Sequence, residues 1–208
     1  DHKEPLSLRR FIHDASGDQV RAPFLFITSN QAVHDSMKPL ISLWCDILIG
    51  ETLSLPPCDK RRLWFVLDEL PSLEKLPSLP ALLERGRKHG ACGVLGVQSM
   101  PQLRAIYGRD GALALCSQPQ IWTVLRSVEP ETAAFLEKAL GSVEIEESKE
   151  SVSMGVNSER DGISLARHTA QKALVMASEI QTLPDLEGFL KLPGQSTVYR
   201  ARFEVGKG

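Results

Sequence analysis

Short unbroken apolar runs alternate along this chain with longer amphipathic stretches, and the alternation predicts strands and helices in turn. The most pointed run is Leu63-Trp-Phe-Val-Leu-Asp-Glu-Leu70, where bulky apolar residues lead straight into two carboxylates, Asp68 and Glu69. It predicts a strand buried on both faces, as in a parallel sheet covered by helices. The acids would then emerge at its carboxyl end, where such sheets bind ligands. Pro23-Phe-Leu-Phe-Ile27 predicts another buried strand, ending in Thr28-Ser29-Asn30, residues suited to cap the next helix. That helix is expected to run to about Ile49 with Leu40, Leu43, Trp44, Ile47 and Leu48 on one face.

Beyond the acids, Pro71 and Pro77 hold a loop extended before a helix from about Pro80 to His89, which Gly90 stops. Ala91 to Val97 reads as the next strand and ends in Gln98-Ser99. Helices follow over Pro101–Tyr107 and Gly111–Leu115, then a strand over Gln120–Leu125 and a helix opened by Glu129-Pro130 and closed by Gly141. Strand and helix in alternation predict a mostly parallel α/β sheet with right-handed crossovers. Val143 to Met154 is acidic and weakly alternating, an edge strand by pattern. Residues 151–171 have few large apolar groups and are expected to be mobile. Glu187–Leu192 and Thr197–Val205, split by Pro193-Gly194, predict an antiparallel hairpin.

Bulk composition narrows the class without deciding it. At 208 residues, 42% hydrophobic and 24% charged, the chain reads as one soluble globular domain over residues 1–208. A net charge of −2 argues against an autonomous basic nucleic-acid binder, though not against a local basic stripe such as Lys60-Arg61-Arg62. No apolar run is long enough for a membrane span. Cys45, Cys58, Cys92 and Cys116 lack metal-ligand spacing and read as reduced thiols. Trp44, Trp64 and Trp122 read as core, and His34, His89 and His168 as surface or internally satisfied histidines.

Asp68 followed by Glu69 at a strand end suits nucleotide hydrolysis: the first acid can hold Mg²⁺ through water, the second can polarise the attacking water. A buried strand with an acidic exit is the plainer alternative. Gln98 either caps the helix beginning at Met100 or presents its amide to phosphate and water. Arg87 is either a solvated helix end or a cation for an interface.

Taken together, Leu67-Asp-Glu-Leu-Pro-Ser-Leu73, Leu83-Glu-Arg-Gly-Arg-Lys-His-Gly90, Gly96-Val-Gln-Ser99, Arg126-Ser-Val-Glu-Pro-Glu-Thr132, Ser178 to Leu186 and Gly188 to Gly194 resemble, in order, the coupling proteins of type IV secretion, the TraD/TraG/TrwB group. The resemblance implies part of a RecA-like three-layer P-loop NTPase core, mostly parallel, with a C-terminal antiparallel hairpin. It implies a conjugative ATPase that uses ATP and Mg²⁺, forms a homo-hexamer and pumps single-stranded DNA. Such a motor would link relaxase and relaxosome proteins to the type IV secretion channel at the cytoplasmic face of the inner membrane. Asp68 matches the Walker B metal acid and Glu69 the water-activating glutamate. Gln98 matches the γ-phosphate sensor, and Arg87 the arginine that reaches a neighbour's site. Arg126, after its strand, is a further candidate for contact with nucleotide or with a neighbour.

One departure bears on activity. The pattern G-x-x-x-x-G-K-[ST] does not occur in the sequence, so the phosphate cradle and its lysine are missing. The expected reading is a C-terminal piece of a larger protein, inactive alone and possible as a monomer, with cradle and membrane anchor upstream. The alternatives are a non-catalytic domain that docks relaxosome or channel proteins, and a fragment of a segregation-type DNA translocase.

Overall fold

The structure, a computed structural model, describes the backbone of residues 5–17, 23–152 and 163–206. The chain divides into two compact units, Asp1–Pro119 and Gln120–Gly208.

In the first unit, α1 (Leu8–Ala15) starts at Ser7, whose hydroxyl accepts the Arg10 N–H at 3.3 Å. The 23–30 segment has no regular secondary structure and joins no ladder among the described residues, so the strand expected at Pro23–Ile27 is not one. Side-chain burial holds it instead. Leu25 and Ile27 pack with Ile12, Leu48, Leu55, Leu63 and Phe65, while Phe24 and Phe26 stack on each other in solvent, each 81% exposed. Asn30 caps a single 3-10 turn, Gln31–Val33, that leads into α2 (His34–Ser54). The buried stripe of α2 is Ile41, Ser42, Cys45, Leu48, Ile49 and Thr52. It is offset from the expected one, and Leu40 and Leu43 face solvent. In a helix this apolar, hydrophobicity alone marks no single face, so packing decides.

β1 (Leu63–Leu67) and β2 (Ala91–Leu95) pair in parallel, from Leu63 opposite Ala91 to Leu67 opposite Leu95. The crossover between them carries a 3-10 turn (Leu70–Ser72), α3 (Leu79–Arg85) and a second 3-10 turn (Gly86–His89). Gly90 stops it in the left-handed conformation, φ 80°, as expected of that glycine. β1 is covered on one face only. Leu63 and Phe65 enter the core, but Trp64 and Val66 are 64% and 65% exposed, which corrects both the doubly buried strand and the core reading of Trp64. α4 (Met100–Ser117) breaks at Gly108, φ 74°, ψ 169°, which separates the two helices the sequence predicts there.

The second unit is antiparallel. β3 (Trp122–Val124) pairs with β6 (Glu187–Lys191), and β6 with β7 (Val198–Arg202). β3 therefore does not extend a parallel sheet with β1 and β2, contrary to expectation; its hydrogen-bonding partner comes from the predicted hairpin. α5 (Pro130–Leu140) is capped by Glu129, whose carboxylate accepts the N–H groups of Glu131 and Thr132 at 2.8 and 2.7 Å. β4 (Ser142–Val152), the expected acidic strand, pairs with β5 (Ile163–Ala173). Of the segment expected to be mobile, residues 153–162 lie outside the described residues, and Ile163 onward belongs to β5. Val124, Ala133, Leu140, Val175, Ile180, Leu183 and Phe189 form this unit's core, with α6 (Ala177–Gln181) contributing Ile180. Among the described residues no helix is long and apolar enough to cross a membrane.

Candidate functional site

Because β1 and β2 are parallel and in register, the residues that follow them leave the sheet at one rim. The ladder continues one step past the strands: the Gly96 N–H donates to the Leu67 carbonyl at 2.8 Å, and the Gly96 carbonyl accepts from the Leu70 N–H at 3.0 Å. Asp68 and Glu69 are thus bracketed by two backbone bonds to one glycine. A Cβ at position 96 would fall 1.7 Å from the Asp68 carbonyl oxygen, so only glycine permits this approach.

After the acids the chain turns sharply. The Glu69 carbonyl accepts from the Ser72 N–H and hydroxyl at 2.9 and 2.7 Å, closing the 3-10 turn, and Leu70 plugs into the core. Asp68 is left exposed and Glu69 half-buried. Burial raises the Glu69 carboxyl above the ordinary glutamate value, and the neighbouring Asp68 charge raises it further. A hydrogen bond from the Gln98 side chain acts in the opposite direction by favouring the ionised form. The residue at the cap of α4 is Ser99, one position beyond Gln98.

The loop beyond is pinned from below. The Ser42 hydroxyl accepts the Glu74 N–H at 2.9 Å, the Asp46 carboxylate accepts the Ser78 N–H at 2.9 Å, and the Tyr107 hydroxyl accepts the Leu76 N–H at 3.2 Å. His34 also reaches this region, its Nε2 lying 3.1 Å from the Ser72 carbonyl. None of these supports is visible as a motif. The signal available was the spacing of Ser42 and Asp46, one helical turn apart on α2, which places both on the face that meets the loop.

Arg87 is not brought to the acids. It lies exposed in the 3-10 turn before β2, whereas Gln98 lies after that strand. A strand of five residues, at about 3.3 Å of rise each, sets these rims roughly 16 Å apart. Arg126 lies in the second unit, where its guanidinium pairs with Asp185 at 2.6 Å and donates to the Leu183 carbonyl. The four cysteines are free thiols, as expected, and Cys45 is buried. His89 is internally satisfied, with Nδ1 2.6 Å from the Leu55 carbonyl.

An acid pair and an amide at one rim of a parallel sheet, with no phosphate cradle in the sequence, is the geometry to set beside known proteins. A family profile described as the type IV secretion-system coupling protein DNA-binding domain matches residues 1–204. The chain belongs to that family. Among coupling proteins, TraD of Escherichia coli (strain K12) is 39% identical over 191 residues, covering 92% of this chain but 26% of TraD. The conjugal transfer protein TraG of Rhizobium radiobacter is 27% identical over 124 residues, 58% of this chain and 19% of TraG. The solved coupling protein TrwB in its unbound form superposes with a TM-score of 0.81 at 32% identity, over 97% of this chain and 44% of that one. TrwB in complex with ADP and Mg²⁺ matches at 0.79 and 31%, with 97% and 43% covered. The fold is thus that of the corresponding part of TrwB, a RecA-like α/β arrangement with antiparallel hairpins. The chain spans about a quarter of TraD's length and less than half of the solved TrwB chains.

Proposed function

We propose that this chain supplies the hydrolytic acids and the sensing amide of a conjugative coupling protein, an ATP-driven motor that moves single-stranded DNA. The observation that carries the reading is that parallel, in-register pairing of β1 and β2 brings Asp68, Glu69 and Gln98 out at one sheet rim. TrwB, whose fold this chain shares, is known in complex with ADP and Mg²⁺ and with a non-hydrolysable ATP analogue. The family description as a DNA-binding domain favours DNA as the cargo.

The donor chemistry fits a hard cation. Asp68 is an exposed carboxylate, and among the described residues no cluster of three or more His, Cys, Asp or Glu comes together. Oxygen from one carboxylate, completed by water and phosphate oxygens, is the shell Mg²⁺ prefers at nucleotides. Bound there, the ion would neutralise charge on the phosphates. Glu69, with a carboxyl more basic than an ordinary glutamate's, is suited to orient the attacking water and draw on its proton. Gln98 can hydrogen-bond both that water and a phosphate oxygen, so loss of the terminal phosphate is felt at β2. Arg87, exposed on the far rim, is placed to reach another copy's site rather than its own acids, and the family resemblance makes that assembly a hexamer. Relaxosome proteins on one side and the secretion channel on the other, at the cytoplasmic face of the inner membrane, complete the assignment.

The test is ATP hydrolysis by the full-length polypeptide carrying this chain, with and without single-stranded DNA. Turnover stimulated by DNA and abolished by Glu69→Gln is expected, whereas the isolated 208-residue chain should show none appreciable. Undiminished turnover in Glu69→Gln, or in Asp68→Ala, would defeat the assignment.

A further inference from the structure

His34 connects the two sides of the loop that bears Glu69. Its Nε2 lies 3.1 Å from the Ser72 carbonyl oxygen and its Nδ1 2.6 Å from the Ser29 hydroxyl. A carbonyl only accepts, so Nε2 must carry the hydrogen; in the neutral ring Nδ1 then accepts from Ser29. Ser72 is the residue whose N–H and hydroxyl both donate to the Glu69 carbonyl. A continuous chain of hydrogen bonds therefore runs from Ser29 through His34 and Ser72 to the backbone of Glu69.

Ser29 belongs to a segment with no ladder partner among the described residues, and His34 is the first residue of α2. The Glu69 turn is bracketed on its other side by Gly96, so two anchors, one from β2 and one from α2, fix its backbone. Of these two, the His34 anchor is a side chain, and it ties the turn directly to Ser29 of the 23–30 segment.

We infer that His34 is a positioning residue for Glu69, holding the water-polarising carboxylate in register through Ser72 and coupling it to the Ser29 segment. The inference rests on the hydrolytic reading of Glu69. Displacement of a reacting group by about 1 Å is enough to cost a large factor in rate while leaving binding intact. Removing His34 should therefore lower kcat and spare KM.

The experiment compares full-length protein carrying His34→Ala, His34→Gln, Ser29→Ala and Glu69→Gln, each assayed for ATP turnover, KM and melting temperature. His34→Ala should lower kcat by about tenfold or more with KM for ATP changed less than about twofold. His34→Gln, which can still donate an N–H to Ser72, should recover most of that loss. Ser29→Ala, which keeps the donor but frees the ring, should fall between, and it carries the test if His34→Ala does not fold. A wild-type rate for His34→Ala or for Ser29→Ala, beside an inactive Glu69→Gln, overturns the inference while leaving the hydrolytic reading intact. So does an equal loss in His34→Gln and His34→Ala accompanied by a raised KM, which would mark a merely structural contact. An active Glu69→Gln removes the reading beneath the inference and is a separate failure.

Discussion

The Tyr107 hydroxyl accepts the Leu76 backbone N–H at 3.2 Å, and both residues are buried. This bond ties the loop behind the acids to α4, and burial raises the tyrosine hydroxyl above its ordinary pKa. Tyr107→Phe keeps the ring's packing but strands a buried donor, a loss of about 1–3 kcal/mol. Urea unfolding of the chain should show the lower midpoint with an unchanged slope; identical midpoints would mean that the N–H finds another partner.

Gly96→Ala is expected to be far more damaging than a surface glycine replacement. The added methyl would meet backbone, the Asp68 carbonyl at 1.7 Å, which no side-chain rotation relieves. Overpacking of this kind costs about 1–3 kcal/mol, and more where backbone must move. Gly50, with nothing near its Cβ, serves as the comparison. Since Gly50 lies in α2, alanine there should stabilise by up to about 1 kcal/mol. Equal midpoints for the two variants would contradict the close approach at Gly96.

Glu69 carries a pH signature. Its carboxyl is raised in the fold, so ionising it costs more there than in the unfolded chain. Its contribution to stability is full below the ordinary glutamate range and is lost as pH rises through its own higher value. Glu69→Gln should accordingly be more stable than wild type at neutral pH, with the gain vanishing on acidification below that range. Gln98→Leu removes the hydrogen bond that favours the charge and should raise the carboxyl further. Carboxyl chemical shifts followed by NMR titration report both effects, and a downward movement in Gln98→Leu would refute the contact.

Trp64, at 64% exposed, makes a surface rather than a core. Trp64→Thr should change stability by less than about 0.5 kcal/mol, since threonine suits a strand. It should also lower the binding of hydrophobic dyes to the isolated chain, because Trp64, Val66 and Val94, opposite Val66, expose one apolar face of the sheet. A large destabilisation would show that the indole is packed after all.

Most helices and the acid rim were legible from residues alone, because caps, glycine stops and apolar runs are local signals. Glu129 before Pro130 and Gly90 after His89 mark helix ends that the structure reproduces. Strand partnership was not legible in the same way. Gln120–Leu125 looks like any buried strand, and only long-range pairing with Phe189 and Leu190 makes it antiparallel. Nor did apolar content reveal which face of β1 is covered, since Trp64 and Val66 are as hydrophobic as Leu63 and Phe65. The meeting of Gln98 with Glu69 follows from parallel pairing, but the supports beneath, His34, Asp46 and Tyr107, come from sequence-distant helices and carry no motif.

That two-sided apolarity of β1 has a further result. A strand with polar and apolar edges resists sliding by one residue, because slipping would turn its greasy side outward; β1 has no such safeguard. Its alignment with β2 must be fixed at the ends instead. At one end the Gly90 carbonyl takes the Leu63 N–H at 2.8 Å, and at the other Gly96 closes on Leu67 and Leu70. Two side-chain-free residues thus act as bookends, and the acids keep their place because neither bookend can be swapped for anything larger.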